Sequence, residues 1–161
     1  MAVTTQKSTE YTNATANPVV QNAVHDYHGR VRIAYFTCDQ DGAGDATSSV
    51  ALCALPAGKV RVLLASSSAY VNWTTGSATL DLGWDAYTNT DGTAVTADPD
   101  GLVNGLNVDT VGYQTFGAGT TATGGTHLFE SQGGVVLRAT SQDQALASGD
   151  DLVGYIMYVV D

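Results

Sequence analysis

Sixteen Asp and Glu side chains in 161 residues make carboxylate chemistry the first to weigh. A glycosidase uses two such groups, one to protonate the leaving oxygen and one to attack or to activate water. With so many acids, some pair falls at a workable separation in any fold, so abundance selects none of them. Asp81 and Asp85 alternate outward from a strand pattern and read as solvated, which leaves no acid with the raised pKa of a proton donor. The stretch Asp39-Gln-Asp41-Gly42-Ala-Gly44-Asp45 opens like a calcium loop, but the twelfth position counted from Asp39 is Val50, where that loop needs an acid. A solvated turn is the expected reading there, and again at Asp98-Pro-Asp100-Gly101. His25 and His28 share a face if their segment is helical, with Asp26 beside them, yet they lack a third ligand. His127 stands far along the chain in a Gly/Thr-rich stretch read as a loop. No Gly-x-Ser-x-Gly elbow is present, and the Gly-rich residues 116–125 have no following Lys to hold a phosphate. No metal or cofactor is expected, no catalytic residue is assigned, and the chain reads as a non-enzyme.

Two further residue types bear on binding. Cys38 and Cys53 fall in or beside strand patterns and read as free, buried thiols. Trp73, with Tyr70, Trp84 and Tyr87 in support, is the candidate stacking platform for a sugar ring, because Trp84 alternates with the core face of its strand and Trp73 does not. The triplets Asn13-Ala14-Thr15 and Asn72-Trp73-Thr74 fit the glycosylation pattern, as triplets in a Thr-rich chain do by chance.

Six Lys and Arg against sixteen acids leave a net charge of −10. That excludes electrostatic binding to nucleic acid or to an anionic membrane, since both need a dense basic face. The apolar residues 152–160 are too short to span a bilayer, and residues 1–20 hold no run long enough for a signal peptide core. Four of the six cations, Arg30, Arg32, Lys59 and Arg61, fall on the polar side of two alternating segments. If those segments are neighbours, they make a basic stripe that suits an acidic partner.

The elements that must carry these residues follow a period of two. Val31, Ile33 and Tyr35 alternate with Arg30 and Arg32; Val60, Val62 and Leu64 with Lys59 and Arg61; Leu80, Leu82 and Trp84 with Asp81, Gly83 and Asp85; Val135 and Leu137 with Arg138. In each, the apolar set is expected to face the core. Residues 152–160 are apolar on both sides and read as a central strand. Leu152, Ile156, Tyr158 and Val160 take the core, while Val153, Tyr155, Met157 and Val159 need another cover, for which a subunit interface is the candidate. Turn signals such as Asp41-Gly42, Pro56-Ala-Gly58 and Gly133-Gly134 separate the runs. The expected fold is all-β, an antiparallel β-sandwich of jelly-roll type over residues 29–161. Residues 1–28 form an extended N-terminal arm ending in a short helix over residues 19–27, opened by Asn17-Pro18. Residues 86–125 read as a loop-rich excursion with a helical turn at 98–106.

The order Leu55-Pro-Ala-Gly-Lys-Val-Arg-Val62, Ala78-Thr-Leu-Asp-Leu-Gly-Trp84, Val135-Val-Leu-Arg-Ala-Thr140 and Gly149-Asp-Asp-Leu-Val-Gly-Tyr-Ile-Met-Tyr158 resembles small structural proteins of tailed bacteriophages, specifically the head decoration, or capsid cement, proteins. The resemblance spans residues 48–161. It implies a virion protein on the outer capsid surface, made in the host cytoplasm, that binds the major capsid protein and braces the head as a homo-oligomer, a trimer by preference. It implies no catalytic residues. A carbohydrate-binding or head-fibre or tail adhesion module, and then a glycosidase, are the alternatives.

Overall fold

The computed structural model describes residues 7–24, 29–73 and 75–161. A short helix, α1 (Thr9–Ala14), precedes the strands β1 (Val31–Asp39), β2 (Ser49–Leu55), β3 (Gly58–Leu63), β4 (Ser68–Val71), β5 (Thr79–Trp84), β6 (Tyr87–Thr88), β7 (Ala94–Val95), β8 (Asp98–Asn107), β9 (Gly112–Thr115), β10 (Thr126–Ser131), β11 (Val135–Gln142) and β12 (Asp151–Val160). All strand pairings are antiparallel. The expected all-β sandwich is what forms, in two sheets plus the small β6–β7 hairpin.

β12 organises the larger sheet, as its two-sided apolar sequence requires. β1 runs along one edge for nearly its whole length, from Val31 opposite Val159 to Asp39 opposite Asp151. The other edge is shared: β4 pairs with Leu152 to Tyr155 and leads on to β9, while β3 pairs with Tyr158 to Val160 and leads on to β10. Where the chain switches from β3 to β4, the buried Ser67 hydroxyl accepts from the Met157 N–H at 2.9 Å and donates to the Leu63 carbonyl at 2.8 Å. One side chain thus satisfies the backbone at the split, where neither strand reaches.

The smaller sheet has the order β2-β11-β5-β8. Between the sheets lie Val60, Val62, Val71, Leu152 and Ile156 from one side and Leu52, Leu80, Leu82, Leu137 and Ala139 from the other, all buried, with Phe116 and Phe129 filling the ends. The alternation read in β3, β5 and β11 holds, with the expected residues inward.

Four expectations fail here, each for a physical reason. β1 alternates as expected but faces the other way. Phe36, one residue beyond the stretch that carried the pattern, is buried opposite Gly154, where a β-carbon would sit only 2.8 Å from its ring. Seating that ring turns Val31, Ile33 and Tyr35 outward. Residues 98–106 are strand, not helix: β8 pairs with β5 through two register shifts, and Gly105 at φ +65° supplies a backbone that most residues resist. A β-carbon on Gly83 would stand 1.8 Å from the Asp98 carbonyl oxygen, so the glycine is what lets β8 approach β5. Residues 19–24 are not helical; the helix forms earlier, where Ser8 Oγ accepts from the Tyr11 N–H at 3.1 Å and Glu10 sits in the first turn. Residues 25–27, and with them His25 and Asp26, lie outside the described residues, as does His28. Asp81, finally, is buried rather than solvated, and its carboxylate accepts from the Gly105 N–H at 2.7 Å.

Candidate functional site

The four cations do not form one stripe. β12 separates β1 from β3, so the two segments are not neighbours. Arg61 and Val31 both register with Val159, which puts Arg61, and Lys59 two residues before it, on the outer face of the larger sheet. Arg32 registers with Tyr158 on the opposite face, exposed at the open end of β1, and the exposed Arg30 precedes the strand. Lys59 is ion-paired with Glu130 across β10 at 3.0 Å, and Arg61 Nη1 reaches Thr126 Oγ1 at 3.5 Å. The cations therefore divide into an exposed pair at the start of β1 and an engaged pair on β3.

The outer face of the larger sheet carries the less expected feature. Val31 and Ile33 are each 47% exposed, Tyr35 76% and Val153 40%. Across β4, Tyr70 registers with Val153 and then with Tyr113 of β9, which is 83% exposed. Rings pair across the strands: Tyr35 with Tyr155 at 6.1 Å and Tyr70 with Tyr113 at 5.3 Å, both edge to face. Of the four residues expected to need cover, Val153 is exposed and Tyr155 and Met157 are half-buried. Val159 is buried within the chain itself, because the backbone at Gly29 crosses it so closely that a β-carbon there would meet its methyl at 2.3 Å. Tyr113 and Tyr35 escaped the sequence reading, the first inside a stretch read as loop and the second assigned to the core. A Tyr in the alternating Gly-Tyr-Gln-Thr of β9 was the available signal.

Trp73 is buried at 4% exposure and cannot present a ring to a sugar. Trp84 donates its indole N–H to the Thr96 carbonyl at 3.1 Å and stacks on His127 at 5.1 Å, and Tyr87 packs edge-on to Phe129. Only Tyr70 of the proposed platform lies on an outer face. His127 is in β10, not a loop, and burial pushes its pKa down, with Arg61 adding to the effect and Asp98 opposing it. Asp85 is bound by Arg138 through two hydrogen bonds, at 2.6 and 2.8 Å, which hold its carboxyl below the usual range. Both cysteines are free; burial pushes Cys53 up to about 11, and burial with Asp39 and Asp151 raises Cys38, so both stay protonated thiols rather than nucleophiles. Asn72 is spent on structure, donating from Nδ2 to Asp151 at 3.0 Å and accepting the Asp151 N–H. A cavity of about 30 Å³ between the sheets, bordered by Cys38, Trp73 and Asp150, has room for about one water. Among the described residues no group of three or more His, Cys, Asp or Glu is placed to hold a metal ion.

These features define an antiparallel β-sandwich whose most distinctive surface is an aromatic sheet face with its charges toward the ends. The same fold occurs in a chain of the cyanophage Pam1 capsid asymmetric unit, with a TM-score of 0.54 at 18% identity, over 92% of this chain and 99% of that one. The fold is therefore one found in viral capsids. Looser likenesses, to infectious bursal disease virus Gt strain (TM-score 0.49, 13% identity) and to the VP2 subviral particle of the same virus (0.48, 13%), cover 83% of this chain but only 33% of those chains. No protein-family model matches the chain, and no curated protein does.

Proposed function

We propose that this protein is a virion component that decorates the outside of an assembled phage head, binding the major capsid protein and bracing the shell without catalysing a reaction. The observation that carries the reading is the end-to-end likeness to a chain of comparable length in a phage capsid asymmetric unit. It is supported by the antiparallel sandwich itself, a fold shared with that capsid chain over 92% of this one. In this reading the protein is a homotrimer, and Arg30, Arg32 and the largely exposed residues 7–24, where Asn22 and Val20 tie the chain back to α1, reach the head as the N-terminal arm, while residues 29–161 form the sandwich domain. The pair Lys59 and Arg61 plays a lesser part, since Lys59 already has Glu130 as a partner.

A ligand that binds only the intact shell stabilises it by mass action, and several contacts through one oligomer add avidity. The test is co-sedimentation with heads that lack the protein, over a salt series. Wild type is expected to pellet with the heads and to raise their heat resistance, and Arg30→Ala/Arg32→Ala to pellet less at low salt, where exposed charges are least screened. Failure to bind heads at any salt overturns the reading, and a glycan-array signal in the same preparation favours the adhesion module instead.

A further inference from the structure

We propose that the outer face formed by β1, β12, β4 and β9 is a permanent contact with a second copy of this chain. The inference deepens the oligomeric brace proposed above by naming its surface. Its first support is area. Tyr35 and Tyr113, each about four-fifths exposed, leave on the order of 150 Å² of side chain apiece in water. With Val31, Ile33 and Val153 the total reaches roughly 500 Å², near the upper end of what a lone soluble chain exposes as one apolar patch. A standard interface needs about 800 Å² from each partner, and the half-buried Tyr70, Tyr155 and Met157 with the exposed Thr37 extend the patch toward it.

The second support is charge. A chain of net charge −10 repels its own copies, so a surface that meets another copy must keep acids out of its centre. The centre of this face has none. By register, Asp39 and Asp151 sit together at one end, and the Lys59–Glu130 pair lies at the other. An uncharged aromatic centre within a polar rim is the anatomy of an association surface.

The third is permanence. A protein that reaches a preformed head must first be soluble, so its head-binding surface is one that water tolerates. An aromatic face is covered from the start, and obligate contacts between identical chains are the more apolar class. β1 adds to the need, because among the described residues no strand pairs along its outer edge, and an apolar edge strand left open invites disordered association.

Sedimentation velocity of the full chain tests this, with far-ultraviolet circular dichroism as the check on folding. Wild type is expected at two or more times the 16.6 kDa chain mass. Ile33→Glu/Tyr35→Glu is expected to fall to the single-chain mass with an unchanged spectrum, because both side chains are already exposed in one chain. Tyr113→Glu, on a different strand, should do the same if the double variant misfolds. Ala54→Glu, exposed on the smaller sheet, should leave the mass at the wild-type value. A wild type that sediments as one chain at tens of micromolar, or charged variants that keep the oligomer mass, overturn the proposal. Head co-sedimentation separates the two ideas: a single chain that still binds heads removes the interface and keeps the decoration role, while an oligomer that ignores heads does the reverse.

Discussion

On the outer face of the smaller sheet, Arg138 of β11 lies between Ala51 of β2 and Gly83 of β5, donates to Asp85 at 2.6 and 2.8 Å, and reaches Ser49 Oγ at 3.3 Å. On the outer face of the larger sheet, the central strand β12 carries Val153, Tyr155 and Met157, flanked by Tyr35, Ile33 and Tyr70. Both faces come from the same alternating pattern. The first meets its polar needs within the chain, with small neighbours that leave room for a guanidinium and a carboxylate. The second leaves rings in water, which costs free energy unless something else covers them. Outward positions are therefore not one class: a satisfied ion pair marks a face that is finished, and an aromatic ladder marks one that is not.

The comparison breaks most severely at Gly83, where the finished face depends on the absence of a side chain. Gly83→Ala would drive a β-carbon into the Asp98 carbonyl, 1.8 Å away, and force β8 off β5. Its expected cost is about 3 kcal/mol or more, read as a fall of roughly 6–12 °C in thermal midpoint for a chain of this length. An unchanged midpoint would mean that β8 does not lie where the register puts it. Next in size is Ser67, which serves the split edge of β12 beneath the unfinished face. Ser67→Ala leaves the Met157 N–H without its partner, at a cost of about 1–3 kcal/mol in a urea titration. A loss much below that range would show that the backbone closes the gap by itself.

Arg138→Ala removes the bidentate pair from the finished face. Its side chain and that of Asp85 are 33% and 38% exposed, so solvent screens the pair and the expected loss is only about 1 kcal/mol. The contrast with the other face sharpens here. Tyr113→Ser should move the stability of one isolated chain by less than about 0.5 kcal/mol, as exposed substitutions do. If the aromatic face is an interface, the same change lowers the oligomer mass at low protein concentration, an effect Arg138→Ala should lack.

How far the sequence could be read depended on where the competing apolar residues stood. In β3, Val60 and Val62 oppose Lys59 and Arg61, so burying a charge was the only alternative and the face was unambiguous. β12 was legible as a central strand because it is apolar on both sides. β1 was not, since Val31, Ile33 and Tyr35 on one side compete with Ala34, Phe36 and Cys38 on the other, and pairing Phe36 with Gly154 decides between them across more than a hundred residues. β8 was hidden because its Asp, Pro and Gly residues are turn formers that tertiary pairing with β5 overrides. For the candidate surface, the alternation pointed to Val153, Tyr155 and Met157, whereas the burial of Val159 comes from the chain crossing at Gly29 and the separation of Arg32 from Arg61 from sheet order. Sheet order is a long-range property, which local spacing does not carry.

The smallest expected effect lies between the two faces, at His127. Its ring stacks on Trp84 at 5.1 Å and lies 4.5 Å from Phe129, in a setting where burial and Arg61 disfavour the imidazolium more than Asp98 favours it. The folded-state pKa is therefore below the ordinary value of 6.5. In the unfolded chain the imidazole takes up its proton near that value, while in the folded chain it resists. Stability from this group is thus fully present above pH 6.5 and is lost as the pH falls through the interval down to the folded pKa. One such group contributes at most about 1.4 kcal/mol per pH unit. His127→Gln keeps a polar side chain without a charge to gain. Urea titrations at pH 7.0 and 5.5 should show wild type losing more stability on acidification than the variant. Equal losses would mean that the imidazole takes its proton as readily in the fold as out of it, and that the Trp84 stack sets no electrostatic condition on the core.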